Sequence, residues 1–487
     1  MEFGEFQIGD HVWFDRTFAA DDFAAFARLS GDRNPLHHDQ DFASKSSFGK
    51  TIAPIHLAAA PLSYIAGMIF PGESSLYLGH TLKAVAPVSY DVPVTYSARI
   101  SGLSTANSVL TVRVLGLQKE DVILDAVLQV KAVTQRWAAP SAIPVRHASE
   151  QNRIVVTGAA GEIGRSTATR LAQQKFDLVL AARRMTPTME GTATACRAFG
   201  VQVDIILGDL EETKDRARIC EALRKWDDVA ALVHVASPPV AAPVETQVKV
   251  NFQALVEMTK ALMPGFLRRQ KGRVIAIGSS SVEVGISGWE PYAGAKAMLS
   301  QYLHTFDRKH RIYGITGQVV APTRVDTAMS RAAGAPHGTM LIPEEVASCI
   351  GESVTDPPGD MTYIALSPSG ARGAYYGVFS TQTTPIGDAA HQSAPQGVIS
   401  SQRPSSTDDS GLVKLERTVR AALALPASVP LENGGLGLTP GWDSLKHIEI
   451  MLAVERDFAI EFSSSEIDRL STYAGLRTLV DAKSRNH

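Results

Sequence analysis

Two stretches of this chain set acids and bases at spacings that could move protons. In "LSGDRNPLHHDQ", Leu29 to Gln40, a carboxylate, Asp32, stands five residues before an imidazole, His37. Gly31, Asn34 and Pro35 are turn residues, so a polar surface loop is one reading and an acid/base pair the other. In "SGWEPYAGAK", Tyr292 and Lys296 are four residues apart and share one face if the segment is helical. A lysine cation beside a phenol stabilises phenolate and lowers the tyrosine pKa, which makes Tyr292 a usable proton donor to a carbonyl. Ser279, thirteen residues upstream, closes the strand-like "GRVIAIGSSS", where its hydroxyl could hold the same carbonyl oxygen.

The elements around the second stretch suggest a nucleotide. "RIVVTGAAGEIGR" follows an apolar run and opens a helical pattern. Gly158, Gly161 and Gly164 let the backbone turn tightly and approach a pyrophosphate, whose charge a helix N-terminus attracts. Nineteen residues past Gly164, the next strand-like run ends in Arg183-Arg184. An acid there suits the ribose 2′-hydroxyl of NAD, and a cation suits the 2′-phosphate of NADP. Seven Val/Ile/Leu-rich runs alternate with helical stretches: "RIVVTG", "DLVLAAR", "VQVDIILGD", "AALVHVAS", "GRVIAIGS", "ITGQVVAP" and "TYIALSP". Near-continuous apolar strands belong to a parallel sheet covered on both faces.

Over about residues 153–380 these features resemble the short-chain dehydrogenase/reductase family, in particular its 3-oxoacyl thioester reductases. "VKVNFQAL", "GRVIAIGS", "YAGAK" and "VVAPTRVDTAM" fall in the family's order. The resemblance implies a Rossmann domain, a doubly wound parallel α/β sheet, with Asn251, Ser279, Tyr292 and Lys296 catalytic. It implies NADP(H) held by Gly158, Gly161, Ile163, Gly164, Arg183, Arg184, Asp209, Tyr292, Lys296 and Thr323. Two departures stand out. Glu162 replaces the central glycine, where a carboxylate would press against phosphate. His234-Val235-Ala236-Ser237 replaces Asn-Asn-Ala-Gly, losing an amide that steadies the sheet.

Ahead of this lies an acidic start without a signal-peptide pattern, then a helix-like opening. "IAPIHLAAAPLSYIAGMIF", Ile52 to Phe70, is nearly uncharged, but Pro54, His56, Pro61 and Ser63 argue for a fully buried helix rather than a membrane span. Four runs of β-branched alternation follow, "SLYLGHTLKAVAPV", "VPVTYSARISGL", "SVLTVRVLGLQ" and "VILDAVLQVKAV", an antiparallel sheet around one helix in an α+β domain. With "FARLSGDRNPLHHDQDFASKSSFG", residues 1–133 resemble the MaoC-like, hot-dog-fold (R)-specific enoyl thioester hydratases. The resemblance implies that Asp32 and His37 are a catalytic dyad oriented by Ser63. Asn34-Pro35 would hold the pair off a regular helix. The departure is "IAPIHL", where Ile55 takes the place of a glycine and narrows the pocket.

The chain ends differently. "GLVKLERTVRAALAL", "NGGLGLTPGW" and "DSLKHIEIMLAVERDF" read as helix, loop and helix, with two short helices beyond. "GWDSLKHIEI" resembles acyl and peptidyl carrier domains, small four-helix folds. The resemblance implies 4′-phosphopantetheine on Ser444, attached by a phosphopantetheinyl transferase. A helix cap is the plain reading of Asp443-Ser444. From Gly411 to His487 stand ten Asp/Glu against nine Lys/Arg. So little net charge gives weak steering, and suits a tethered carrier that works in cis.

Composition bounds the rest. The chain has 487 residues, net charge −3, 45% hydrophobic and 20% charged residues, and no basic surplus that would suit nucleic acid. Cys196, Cys220 and Cys349 are too far apart for a disulfide framework or a metal site, and fit buried thiols. The expected organisation is multidomain: a hot-dog domain over 1–138, a linker over 139–152, the Rossmann domain over 153–382, a disordered Ser/Gln/Pro-rich linker over 383–410 and the carrier over 411–487.

The expected activity is NADPH-dependent reduction of a 3-oxoacyl thioester. It is coupled to dehydration of the (R)-3-hydroxyacyl product, or to the reverse hydration, in fatty-acid-like or polyketide-like synthesis. Ketosynthase and acyltransferase would act in trans. The expected location is the cytoplasm, without a membrane span, and both main families self-associate, implying a homo-oligomer. Two rivals are a reductase and carrier with an inactive hot-dog domain, supplying a 3-hydroxyacyl group to an acyltransferase, and a non-enzymatic carrier scaffold.

Overall fold

The computed structural model describes residues 5–72, 75–133, 143–147, 152–332, 340–355, 362–368, 370–374, 409–423, 425, 472–484 and scattered residues over 431–460. Two compact units divide the chain, 1–386 and 387–487.

The first unit opens with a strand, β1 (His11–Arg16), which the helix-like reading of the N-terminus missed. Helix α1 (Ala20–Ser30) follows, then a single 3₁₀ turn, Pro35–His37, and α2 (Gln40–Ser44). Gly31 ends α1 in the left-handed region at φ 79°, and Asn34 caps the 3₁₀ turn by accepting the Leu36 N–H at 3.1 Å. His37 therefore sits on a short turn and not on a regular helix.

The apolar stretch is not one fully buried helix. It forms α3 (Ile55–Ala59) and α4 (Pro61–Met68), joined at a proline that lacks an N–H to continue the ladder. Leu57, Ala58, Leu62, Ile65 and Ala66 face inward, while His56 and Ser63 are exposed. No described helix is long and apolar enough to cross a membrane.

Strands β2 (Ser75–Ala84), β3 (Val94–Ser104), β4 (Val109–Gln118) and β5 (Asp121–Ala132) complete an antiparallel sheet ordered β1-β3-β4-β5-β2. Ile65 packs in one core with Ile100, Val112 and Leu128. Leu115 and Leu117 of β4 belong to another, shared with Leu262 and Phe266 of the following domain. Cover on both faces accounts for the continuous burial of Tyr96–Ala98 in β3 and Val114–Gln118 in β4, while the first half of β4 alternates.

The second sheet has eight strands in the order β13-β12-β11-β10-β9-β6-β7-β8. Its seven parallel strands are β6 (Arg153–Thr157), β7 (Asp177–Ala182), β8 (Val203–Leu207), β9 (Val229–His234), β10 (Gly272–Ile277), β11 (Ile315–Pro322) and β12 (Tyr363–Ser367), as the sequence predicts. The eighth, β13 (Gly370–Ala374), pairs antiparallel at the edge. The order reverses between β6 and β9, the place where an α/β sheet opens a crevice beyond its strand ends. The helices that matter for that crevice are α5 (Glu162–Gln173), α6 (Pro187–Arg197), α7 (Thr213–Leu223), α8 (Val244–Val248), α9 (Ala254–Arg269), α10 (Ser281–Val284), α11 (Glu290–His310), α12 (Ala328–Ala332) and α13 (Pro343–Thr355).

The two domains of this unit are joined by polar as well as apolar contacts. Gln270, buried at the C-terminal cap of α9 with φ 50°, donates through Nε2 to the carbonyls of Ser97 and Arg113 at 3.0 and 3.1 Å. Ser97 Oγ returns a bond to the Arg268 carbonyl at 2.7 Å. Cys196 and Cys220 are buried and Cys349 is partly buried; all three are free thiols.

In the second unit, helix Asp409–Leu423 and helix Tyr473–Ser484 contribute Leu415, Val419, Leu476 and Val480 to a core with Trp442, Ile450 and Val454. The expected four-helix carrier fold is described only in these parts. Ser444 and the linker over 383–408 lie outside the described residues.

Candidate active sites

The first candidate site is a cleft of about 670 Å³ at the switch point. Its floor is the turn after β6. Gly158 holds φ +68°, and a Cβ there would lie 2.7 Å from the Ala236 nitrogen. At Gly164 a Cβ would stand 2.2 Å from the Gly158 carbonyl oxygen. Only glycine permits this approach of backbone to backbone. The turn leads into the N-terminus of α5, where Gly161 is the cap and Ile163 lines the cleft. Arg183 and Arg184 are exposed and line the cleft at the end of β7. Asp209 lines it too, its carboxylate accepting the Glu211 N–H at 3.0 Å.

Tyr292 and Lys296 lie on one face of α11, and both reach the cleft. Tyr292 is 8% exposed, and Lys296 Nζ lies 5.6 Å from its ring centroid. Lys296 Nζ donates to the Ile277 carbonyl at 2.8 Å. Burial pushes the Tyr292 phenol up, with a hydrogen bond to Ser279 opposing it. Burial brings the ammonium of Lys296 down to about 7. The expected lowering of the tyrosine by the lysine is not seen: burial raises the phenol, and the same burial lowers the ammonium. Ser279 Oγ is also bonded to Ser281 Oγ at 2.8 Å, which fixes the hydroxyl at the end of β10.

Asn251 sits in a π-helical turn, Lys249–Gln253, that packs on α11. Its Nδ2 donates to the Gln247 carbonyl at 3.1 Å, while its Oδ1 is buried without a hydrogen-bond partner. Thr323 is exposed and donates its N–H to Leu366; Thr327, further along, lines the cleft instead. The sequence reading missed Thr327.

It also undervalued His234. This ring is fully buried, with Nδ1 2.9 Å from Thr157 Oγ1 and Nε2 3.0 Å from the Val250 carbonyl. Thr157 Oγ1 accepts the N–H groups of Val235 and Ala236 at 3.2 Å each. One arrangement satisfies every group: Nε2–H donates to Val250, and Nδ1 accepts from the threonine hydroxyl. Burial, then the charge of Lys296, lowers this imidazole to about 3. The amide expected to be lost is thus replaced by a neutral imidazole that ties β6 and β9 to the turn carrying Asn251.

The second candidate site lies on the first domain. His37 Nε2 is 3.7 Å from Asp32 Oδ2, and His37 Nδ1 is 2.7 Å from the Ile52 carbonyl. Asp32 Oδ1 accepts the Asn34 N–H at 3.0 Å, which closes the loop around the pair. Phe23 lies beside the imidazole, its ring centroid 5.7 Å away. The Tyr90 hydroxyl donates to the His37 carbonyl at 3.1 Å; burial, then the charge of Asp32, pushes that phenol up to about 12. Tyr90 is a second residue the sequence reading missed, since 53 residues separate it from His37. Ser63 is exposed, and among the described residues no hydrogen bond joins its side chain to the dyad. Asp32 and His37 thus face each other across the loop.

Residues 5–102 match the family model "MaoC like domain", and residues 152–337 match "short chain dehydrogenase". An (R)-specific enoyl-CoA hydratase of Aeromonas caviae is 34% identical over 22% of this chain and 78% of its own length. A 3-hydroxybutyryl-CoA dehydratase of Methylorubrum extorquens is 27% identical over 29% of this chain and 91% of its own. An acetoacetyl-CoA reductase of Allochromatium vinosum is 27% identical over 44% of this chain and 96% of its own. Among solved structures, a 3-oxoacyl (acyl-carrier-protein) reductase from Agrobacterium tumefaciens with NADP bound is 23% identical, with TM-score 0.41, over 44% of this chain and 93% of that one.

Proposed function

We propose, for a chain that belongs to the MaoC-like family by its first domain and carries a short-chain dehydrogenase domain behind it, that it reduces 3-oxoacyl thioesters with NADPH and dehydrates the (R)-3-hydroxyacyl product to the trans-2-enoyl thioester, or runs that second step in reverse. The observation that carries this reading is the meeting of Tyr292, Ser279 and Lys296 at one cleft with the glycine turn and two exposed arginines.

The cleft fits a phosphorylated dinucleotide. Gly158 and Gly164 keep the turn free of side chains, and α5 turns its N-terminus toward it. Arg183 and Arg184 supply the cation that a 2′-phosphate needs. Gly158, Gly161, Ile163, Gly164 and Asp209 would hold the rest. When bound, the cofactor supplies hydride to the ketone carbon. Ser279 would hold the ketone oxygen, and Tyr292 would give it a proton. Lys296, whose Nζ lies beside the Tyr292 ring, would return a proton to the phenolate.

On the first domain, the thioester carbonyl acidifies the α-proton. The dyad takes that proton and returns one to the departing β-hydroxyl, so that water leaves as the double bond forms. The 3.7 Å separation of His37 and Asp32 supports this over an inactive domain, although Ile55 stands where a smaller residue would give more room.

The carrier reading of the last segment rests on "GWDSLKHIEI" and on the helical core around Trp442. We place 4′-phosphopantetheine on Ser444, loaded by a phosphopantetheinyl transferase. Ketosynthase and acyltransferase partners in trans, self-association and a cytoplasmic setting belong to the same proposal.

The test adds NADPH and a 3-oxoacyl thioester to the full chain and follows both NADPH absorbance and product mass. Loss of NADPH with enoyl product supports the proposal. Hydroxyacyl product alone would reduce it to the rival with a silent first domain, and no NADPH loss would sink it.

A further inference from the structure

Glu162 stands where a glycine would leave the phosphate turn open, and a carboxylate there would be expected to repel a pyrophosphate. The structure turns it away. Glu162 is the first residue of α5, and both its oxygens are engaged across the cleft by the segment after β11. Oε2 accepts the Ala328 N–H at 2.7 Å, and Oε1 accepts Arg331 Nη2 at 2.7 Å. Arg331 Nη1 meanwhile donates to Asp326 Oδ1 at 2.5 Å. The guanidinium thus bridges two carboxylates, and α12 is pinned at its first residue and again one turn later. Thr327 and Met329, from this same segment, line the cleft together with Gly158 and Glu162. The Ala328 bond spans 166 residues of sequence.

We propose that Glu162 is a positioning residue that straps the Asp326–Ala332 segment over the cofactor cleft, so that cofactor exchange requires Glu162 to release Ala328 and Arg331. The argument builds on the assignment of the cleft to NADPH. The strap itself stands on the bonds above. It gives the carboxylate a role that also turns it from the phosphate, since the guanidinium and a backbone N–H engage both its oxygens before any phosphate arrives.

Two measurements on the full chain test it. In the first, NADPH release is followed by cofactor fluorescence after mixing with excess unreactive competitor. Glu162→Gln keeps an acceptor for the Ala328 N–H but loses the charge pair with Arg331. Release should quicken about two- to fivefold, the range of a partly exposed ion pair. Arg331→Gln should do the same, and the double variant should release no faster than either single one. A carboxylate that merely crowded phosphate would give the opposite sign, with slower release in Glu162→Gln.

The second measurement needs no cofactor. Tryptic cleavage after Arg331 should quicken in Glu162→Gln, because the protease must take the guanidinium that Glu162 holds. Unchanged or slower release, additive effects of the two substitutions, unchanged cleavage, or a thermal midpoint that falls in step with release would each overturn the strap. Failure of the wild-type chain to bind NADPH would instead overturn the cofactor assignment, and the cleavage result would still decide the strap.

Discussion

Lys296 Nζ, 1% exposed as a residue, donates to the Ile277 carbonyl and stands 5.6 Å from the ring of Tyr292. Burial brings its folded-state pKa to about 7, from an ordinary value of 10.5. The unfolded chain therefore binds a proton that the native state does not between those two values. Stability from this group rises as pH goes from about 7 to about 10.5, and below 7 the full cost of burying the charge is carried. That cost is on the order of a few kcal/mol. Lys296→Met should abolish reduction, yet raise the thermal midpoint of the cofactor-free protein at pH 7 and flatten its rise toward pH 10. Calorimetry across that range checks both signs.

The two sites should be separable by single substitutions. Tyr292→Phe removes one hydroxyl from the cleft and leaves the glycine turn intact, so NADPH should still bind while kcat for reduction falls about 10²- to 10⁴-fold. Asp32→Asn should leave reduction untouched and lower conversion of hydroxyacyl to enoyl thioester by a similar factor. Each variant is assayed for both steps, with product mass as the readout. Loss of both steps from either change would show that the sites are not independent.

Much of this arrangement was legible beforehand because strand and helix periods are local. The seven parallel strands, the four strands of the first domain and the Tyr292–Lys296 face depend on residues near one another in sequence. β1 was not legible: "HVWFDR" is six residues long and needs β3, about eighty residues away, to show that it is a strand. The break at Pro61 was legible as a proline but was set aside in favour of composition. Tyr90, Thr327 and the bonds of Glu162 were hidden because each depends on a long-range approach. His234 was visible as a departure, but only the approach of Thr157 and Val250 shows that an imidazole can do what an amide would.

That imidazole has its own pH signature. Its folded-state pKa is about 3 against an ordinary 6.5, so the native state excludes a proton that the unfolded chain takes up between those values. The contribution to stability is complete above about 6.5 and is lost as pH falls toward 3. His234→Asn keeps a donor and an acceptor but cannot titrate. It should remain folded and lose part of the acid-induced drop in midpoint. His234→Leu leaves Thr157 and the Val250 carbonyl short of partners and should cost about 1–3 kcal/mol. Denaturant titrations at pH 7 and pH 4.5 distinguish the two variants.

Cofactor choice should follow Arg183 and Arg184. Both are exposed at the cleft, and a 2′-phosphate would gain charge-assisted bonds from them. Replacing both with serine removes the cation while leaving room for a 2′-hydroxyl. NADPH affinity should fall about 10- to 100-fold, the effect of losing hydrogen bonds to a charged group. NADH affinity should change less than threefold, by order of magnitude. Fluorescence titration with each cofactor measures the ratio, and an equal loss for both would place the 2′-phosphate elsewhere.

The contact between the two domains should be as strong as its buried amide. Gln270 Nε2 donates to the carbonyls of Ser97 and Arg113, and Ser97 Oγ donates to the carbonyl of Arg268, so the first sheet is tied to the end of α9 in both directions. Gln270→Leu keeps the volume but strands those two carbonyls in a buried seam. The loss should be about 1–3 kcal/mol. Because Leu115 and Leu117 share a core with Phe266, the apolar contact alone should hold the domains together near room temperature. The variant should therefore unfold in two resolved calorimetric steps where the parent unfolds in one, with the Rossmann step still shifted upward by NADPH. A single transition with an unchanged midpoint would mean that the polar tie contributes nothing, and that the shared core around Phe266 sets the relation of the two sites by itself.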